Sequence, residues 1–139
     1  MPRWRGFDNP FGDIWINLDG IIIDADANNH PNNMDWVYTC QDANNYSDSI
    51  NSSYQKVGER IHESGYITSF DLGNAAHIIP HTVGGSSTTY MCDLNTPGAK
   101  NTRLRMVLAS GYADMGSYAG LGSFSSHAVM GKYWSPLGF

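Results

Sequence analysis

Alternation of apolar and polar positions sets the first element. Ile14, Ile16 and Leu18 are separated by Trp15, Asn17 and Asp19, a period of two that predicts a strand with one buried face. Gly20 interrupts it, and Ile21 to Ile23 continue as an apolar β-branched run that belongs in a core. Trp36 to Cys40 is the next β-prone stretch and is expected to pair with the first across a polar loop. Gly65 to Phe70, Thr88 to Cys92 and the apolar run Leu104 to Leu108 read as further strands. From Tyr54 to Glu63, the apolar positions Tyr54, Val57 and Ile61 fit a helical face that Gly58 breaks, so helix and strand stay open there. Gln41 to Ser53 is polar and reads as exposed.

The pattern changes after Leu108. Glycine, serine and alanine alternate with large side chains, and the glycines at 111, 116, 120, 122, 131 and 138 remove any helical stripe. Tyr112, Met115, Tyr118, Phe124, His127, Met130, Lys132, Tyr133 and Trp134 are therefore expected on loops and short strands. Rigid amphipathic rings among Ser and Gly give contact area at low entropic cost, the composition of a recognition surface. A Gly/Ser-rich loop region closing a β-core, with its aromatics half buried, fits the same composition.

Length adds one constraint: 139 residues make a single domain with room for one core. A net charge of -5, with eight scattered Lys and Arg, argues against nucleic acid, because phosphate neutralisation needs clustered cations. No apolar stretch approaches the roughly 20 residues of a membrane helix, so no membrane insertion is expected. The two cysteines, Cys40 and Cys92, fit either free buried thiols or one bridge.

Candidate chemistry is sparse. Oxygen-bearing side chains at Asp24, Asp26, Asn28, Asn32 and Asp35 mimic the spacing of a calcium loop, but Asn29 stands where the turn glycine belongs and Pro31 stiffens the middle. A hairpin loop of Asx turns is the competing reading. His77 and His81 lie four apart, yet Pro80 forbids a helix between them and no third ligand is spaced to join them, so no metal site is expected. No nucleophile elbow and no phosphate loop occur. The chain thus reads as a strand-rich α+β domain with no catalytic signature.

Two stretches carry a resemblance. Trp4-Arg5-Gly6-Phe7-Asp8-Asn9-Pro10-Phe11-Gly12-Asp13-Ile14-Trp15, running into Leu18-Asp19-Gly20-Ile21, resembles the corresponding segment of C-type-lectin-fold domains of phage structural proteins, and distantly the formylglycine-generating-enzyme superfamily. Gly111 through Ala119-Gly120-Leu121-Gly122 to Leu137-Gly138-Phe139 resembles the variable region of proteins diversified by diversity-generating retroelements. The resemblance implies an α+β C-type-lectin-like fold over residues 1–139, with little helix, cut from a longer virion protein. It implies a variable binding region at about 111–136, where randomised Asn codons give residues such as Tyr112, Asp114, Ser117, Tyr118, Ser123, Ser125, His127 and Tyr133. Met115, Met130, Lys132 and Trp134 complete the expected ligand-binding set and need other adenine-bearing codons.

The function so implied is non-catalytic: a receptor-binding or decoration module on the virion surface that recognises a host-cell surface protein or glycan, without cofactor or metal. Other virion subunits are the remaining expected partners, and a homotrimer is the form common to fibre tips. The alternative is a virion structural module whose C-terminal face is a subunit interface. Enzymes of the formylglycine-generating superfamily use C-terminal cysteines to bind copper, whereas here no cysteine follows Cys92.

Overall fold

The computed structural model describes residues 3–4, 7–8, 16–30, 32–74, 77–89, 93–101, 104–110, 120–126 and 128–130. Two short strands, β1 (Arg3–Trp4) and β2 (Phe7–Asp8), pair with each other. The remaining strands are β3 (Ile16–Asp24), β4 (Met34–Thr39), β5 (Gln55–Ile61), β6 (Gly65–Leu72), β7 (Ile78–Val83), β8 (Leu94–Pro97), β9 (Leu104–Ser110) and β10 (Gly120–Ser126). They form one eight-stranded sheet in the order β5-β4-β3-β9-β10-β8-β6-β7. All its pairs are antiparallel except β10 with β8, so the sheet is mixed.

The expected α+β, C-type-lectin-like fold is corrected by this architecture: the chain is nearly all β, and its sheet curls into an almost closed barrel. A single 3-10 turn, Ala43–Asn45, is capped by the Asp42 side chain, and no α-helix occurs among the described residues. The segment left open between helix and strand is strand β5, because its partner is the β4 edge. A bulge opposite Val37 and Tyr38 absorbs the break at Gly58.

Closure comes from β7 returning against β5. A Cβ on Gly73, in the β6–β7 turn, would lie 2.5 Å from the Val57 carbonyl oxygen, and one on Gly58 would lie 2.7 Å from Ile79 Cδ1. Glycine at both positions lets the two sheet edges meet. Asn74 Nδ2 donates across the seam to the Lys56 carbonyl at 3.4 Å.

Ile23, Val37, Val57, Ile79 and Val107 come from five strands and meet inside, with Leu18, Ile21 and Phe124 packed against them. Gly20, at φ +78, forms a bulge in β3 between Leu18 and Ile22, a conformation that favours glycine. It lets Ile22 face outward into a second cluster with Cys40 and Tyr54, under the 40–54 loop. A third cluster joins Met106, Leu108 and Ala128.

Candidate functional site

The inward row of β4, Asp35, Val37 and Thr39, crosses the barrel from end to end, and all three are buried. Val37 marks the apolar middle. Asp35 and Thr39 mark two polar ends of different character.

At the Asp35 end the interior is charged. Asp35 and Arg60 are cross-strand partners, and both are fully buried. His62 Nδ1 lies 2.8 and 2.7 Å from the two Asp35 oxygens, and an acceptor-only carboxylate makes that nitrogen the donor. Lys100 Nζ stands 3.8 Å from Asp35 Oδ1 and donates to the carbonyls of Asn32 and Met34 at 2.8 and 2.6 Å. The Arg60 guanidinium lies 5.0 Å from the Phe124 ring centroid, and its Nε donates to Asn95 Oδ1 at 2.9 Å. Its Nη1 donates to Ser126 Oγ, while Nη2 finds no hydrogen-bond partner among the described residues. Asn95 in turn donates to the Ile61 and Glu63 carbonyls at 3.1 and 2.7 Å. Desolvation lowers the Arg60 pKa to about 10, with the Asp35 charge opposing the shift. These groups tie β4, β5, β8 and β10 together, so this end is a structural lock.

At the Thr39 end the interior opens into a cleft of about 230 Å³ lined by Thr39, Cys40, Asp42, Gln55, Asn74 and His77. His77 Nδ1 donates to the Asn74 carbonyl, which leaves Nε2 facing the Thr39 hydroxyl at 3.4 Å. Cys40 is a buried free thiol whose sulfur lies 3.4 Å from the Asp42 carbonyl, and Cys92 lies outside the described residues. The 40–54 loop reaches this end, as does the connection that leaves β9 and returns as β10.

That connection carries much of the expected ligand-binding set. Tyr112, Asp114, Met115, Ser117 and Tyr118 fall between Ser110 and Gly120, which pair across the β9–β10 hairpin. These five, with His127, Lys132, Tyr133 and Trp134, lie outside the described residues. Ser123 and Ser125 are placed in β10, where both are buried. Met130 is half-buried beyond β10, packed with the clusters of Ile22 and Met106, and its N–H donates to the Leu104 carbonyl at 3.0 Å. The set is therefore split: five positions fall in the connection between Ser110 and Gly120, Ser123, Ser125 and Met130 are built into or against the sheet, and the other four come after β10, whose last residue, Ser126, belongs to the charged end.

The other candidates resolve into structure. In the 24–35 loop, Asp24 accepts from the Asp26 N–H at 3.1 Å and from Asn29 Nδ2 at 2.8 Å, and Asp26 accepts from the Asn28 N–H at 2.9 Å. Those are Asx turns, and Asp35 is committed to His62 on the inward face. His77 faces Thr39, while His81 Nδ1 lies 3.5 Å from Asp71, so the two histidines serve separate neighbours. Among the described residues no three His, Cys, Asp or Glu side chains are grouped to hold a metal. The charged lock was missed in the sequence, where Asp35 and Arg60 sit 25 positions apart with no local signal beyond polar residues inside strand-like stretches. No protein-family model, curated protein or solved structure matches this chain.

Proposed function

We propose that the chain is a non-catalytic recognition module of the virion surface, which binds a host-cell surface protein or glycan through residues of the 111–136 stretch, the first nine of which connect β9 to β10 at the cleft end. The observation that carries this reading is the pairing of Ser110 with Gly120. Both feet of the nine-residue connection are held by central strands of the sheet, with β3 on one side and β8 on the other. On this reading the connection's side chains can change at little cost to the fold, as surface substitutions away from core and caps do, within about 0.5 kcal/mol. Its Tyr112 and Tyr118, with Tyr133 and Trp134 further along, supply the residue types that dominate binding energy when desolvated. Asp114 and Lys132 set charge complementarity. Other copies of the chain, arranged as a trimer, and further virion subunits complete the proposed assembly.

The test is binding of the purified protein to intact candidate host cells, beside a variant with Tyr112, Tyr118, His127, Tyr133 and Trp134 changed to Ser. The reading expects binding to be lost while the thermal melt stays that of the parent. A variant that unfolds, or that loses its oligomer, would instead make those side chains a core or subunit interface.

A further inference from the structure

A second surface, on the outer side of the barrel seam, has the chemistry of a cation seat. An open cleft of about 450 Å³ runs beside β5 and is lined by Trp36, Lys56, Glu59, Asp71 and Asn74. Two carboxylates border it, and both reach solvent: the Glu59 side chain is 40% exposed and that of Asp71 65%. Its floor is aromatic. The Trp36 indole is fixed from two directions, by the Nε1–H bond to the Asn29 carbonyl at 3.2 Å and by the His30 ring at a centroid distance of 4.5 Å. His30 Nε2 also lies 3.4 Å from Glu59 Oε2, an ion pair only when the imidazole is protonated, and His81 stands in the same relation to Asp71.

The cleft already holds a cation of the protein's own. Lys56 Nζ lies 3.7 Å from the Trp36 ring centroid and 5.8 Å from that of Tyr38. An ammonium over an indole face, with carboxylates at the rim, is the arrangement that holds cationic ligands. Lys56 has a flexible four-carbon stem on the edge strand β5, so the ammonium can leave without disturbing the backbone.

We propose that this cleft binds a lysine or arginine side chain from an exposed segment of a partner protein, with Lys56 as the internal occupant that the incoming cation displaces. The proposal is independent of the proposed function, since it uses none of residues 111–136. The protein's net charge of -5 favours approach of a basic segment.

The probe is acetyl-Gly-Arg-Gly-amide, titrated into the labelled protein while the Trp36 indole N–H resonance is followed. The Gly-Gln-Gly counterpart is the neutral control. A saturable shift with the arginine peptide alone is expected. Lys56→Thr, which suits a strand, vacates the seat and should tighten binding several-fold, whereas Glu59→Gln with Asp71→Asn should weaken it roughly tenfold. Equal shifts with the neutral peptide, no saturable shift in either the parent or Lys56→Thr, or weaker binding by Lys56→Thr would each overturn the proposal. Substitutions at 112, 118, 127, 133 and 134 should leave this titration unchanged, which separates its failure from that of the proposed function.

Discussion

The two ends of the barrel are built from the same strands and solve opposite problems. At one end, Asp35, Arg60, Asn95 and Ser126 close the interior with charge and hydrogen bonds; at the other, Thr39 and His77 face a cleft, and the β9–β10 connection departs. The charged end has little freedom. A fully buried guanidinium is tolerable only while Asp35 stands opposite and Asn95 and Ser126 accept from it. The cleft end holds the feet of the β9–β10 connection, Ser110 and Gly120, and under the proposed function the side chains between them can be exchanged at little cost to the fold. The lesson is that one set of strands closes one end with a charged lock and leaves the other open as a cleft, the end at which the proposed function places the β9–β10 connection.

Asp35→Asn should break this contrast most severely. The volume is kept, but the charge facing Arg60, His62 and Lys100 is removed, and an uncompensated buried cation costs about 3–5 kcal/mol, read as a lower urea midpoint. Gly73→Ala tests the seam instead: its Cβ would meet the Val57 carbonyl oxygen at 2.5 Å, so the β5 and β7 edges must part. Overpacking of this kind costs about 1–3 kcal/mol. In the apolar middle a subtler change suffices for comparison. Ile23→Val, which removes one buried methylene, should cost about 0.5–1.5 kcal/mol and leave cooperativity intact.

A pH series sharpens the account of Arg60. Its folded-state pKa is lowered from 12.5 to about 10, so above pH 10 the folded protein binds fewer protons than the unfolded chain. Stability therefore rises with pH through that window, because the penalty for the buried charge is relieved. Relative to Arg60→Met, whose residue does not titrate, the parent should gain about 1 kcal/mol between pH 9 and pH 11. A parent that instead loses ground would mean that Asp35 outweighs desolvation.

Much of the scaffold was legible. The alternation before Gly20, the Ile21 to Ile23 run and the pairing of Trp36 to Cys40 across an Asx-rich loop all follow from local pattern, and the structure has them as β3 and β4. Gly65 to Phe70 and Leu104 to Leu108 likewise became β6 and β9. Beyond that, long-range partners decide. β5 could not be told from a helix because Gly58 breaks both patterns and only the β4 edge selects the strand. The strand expected at Thr88 to Cys92 is a turn and bend at 88–89, with 90–92 outside the described residues, and β8 follows at Leu94–Pro97. There Asn95 is buried because Arg60 needs it, and no local pattern announces a polar residue inside a core. The Gly/Ser alternation of 120–126 reads as loop and short strand; β9 and β8 on either side make it a strand in the middle of the sheet. The expected fold has little helix, and what overturns it is the near-closure of the eight-stranded sheet, which no one segment shows.

The division between the ends is tested most directly by urea unfolding of two proteins beside the parent. One is Asp35→Asn, a single isosteric change at the charged end; the other carries Ser at positions 112 and 118, between the Ser110 and Gly120 feet at the cleft end. The account predicts a loss of several kcal/mol for the first and about 1 kcal/mol or less for the second. Equal losses, or a larger loss for the two-residue variant, would contradict it, because the residues proposed for recognition would then be holding the fold.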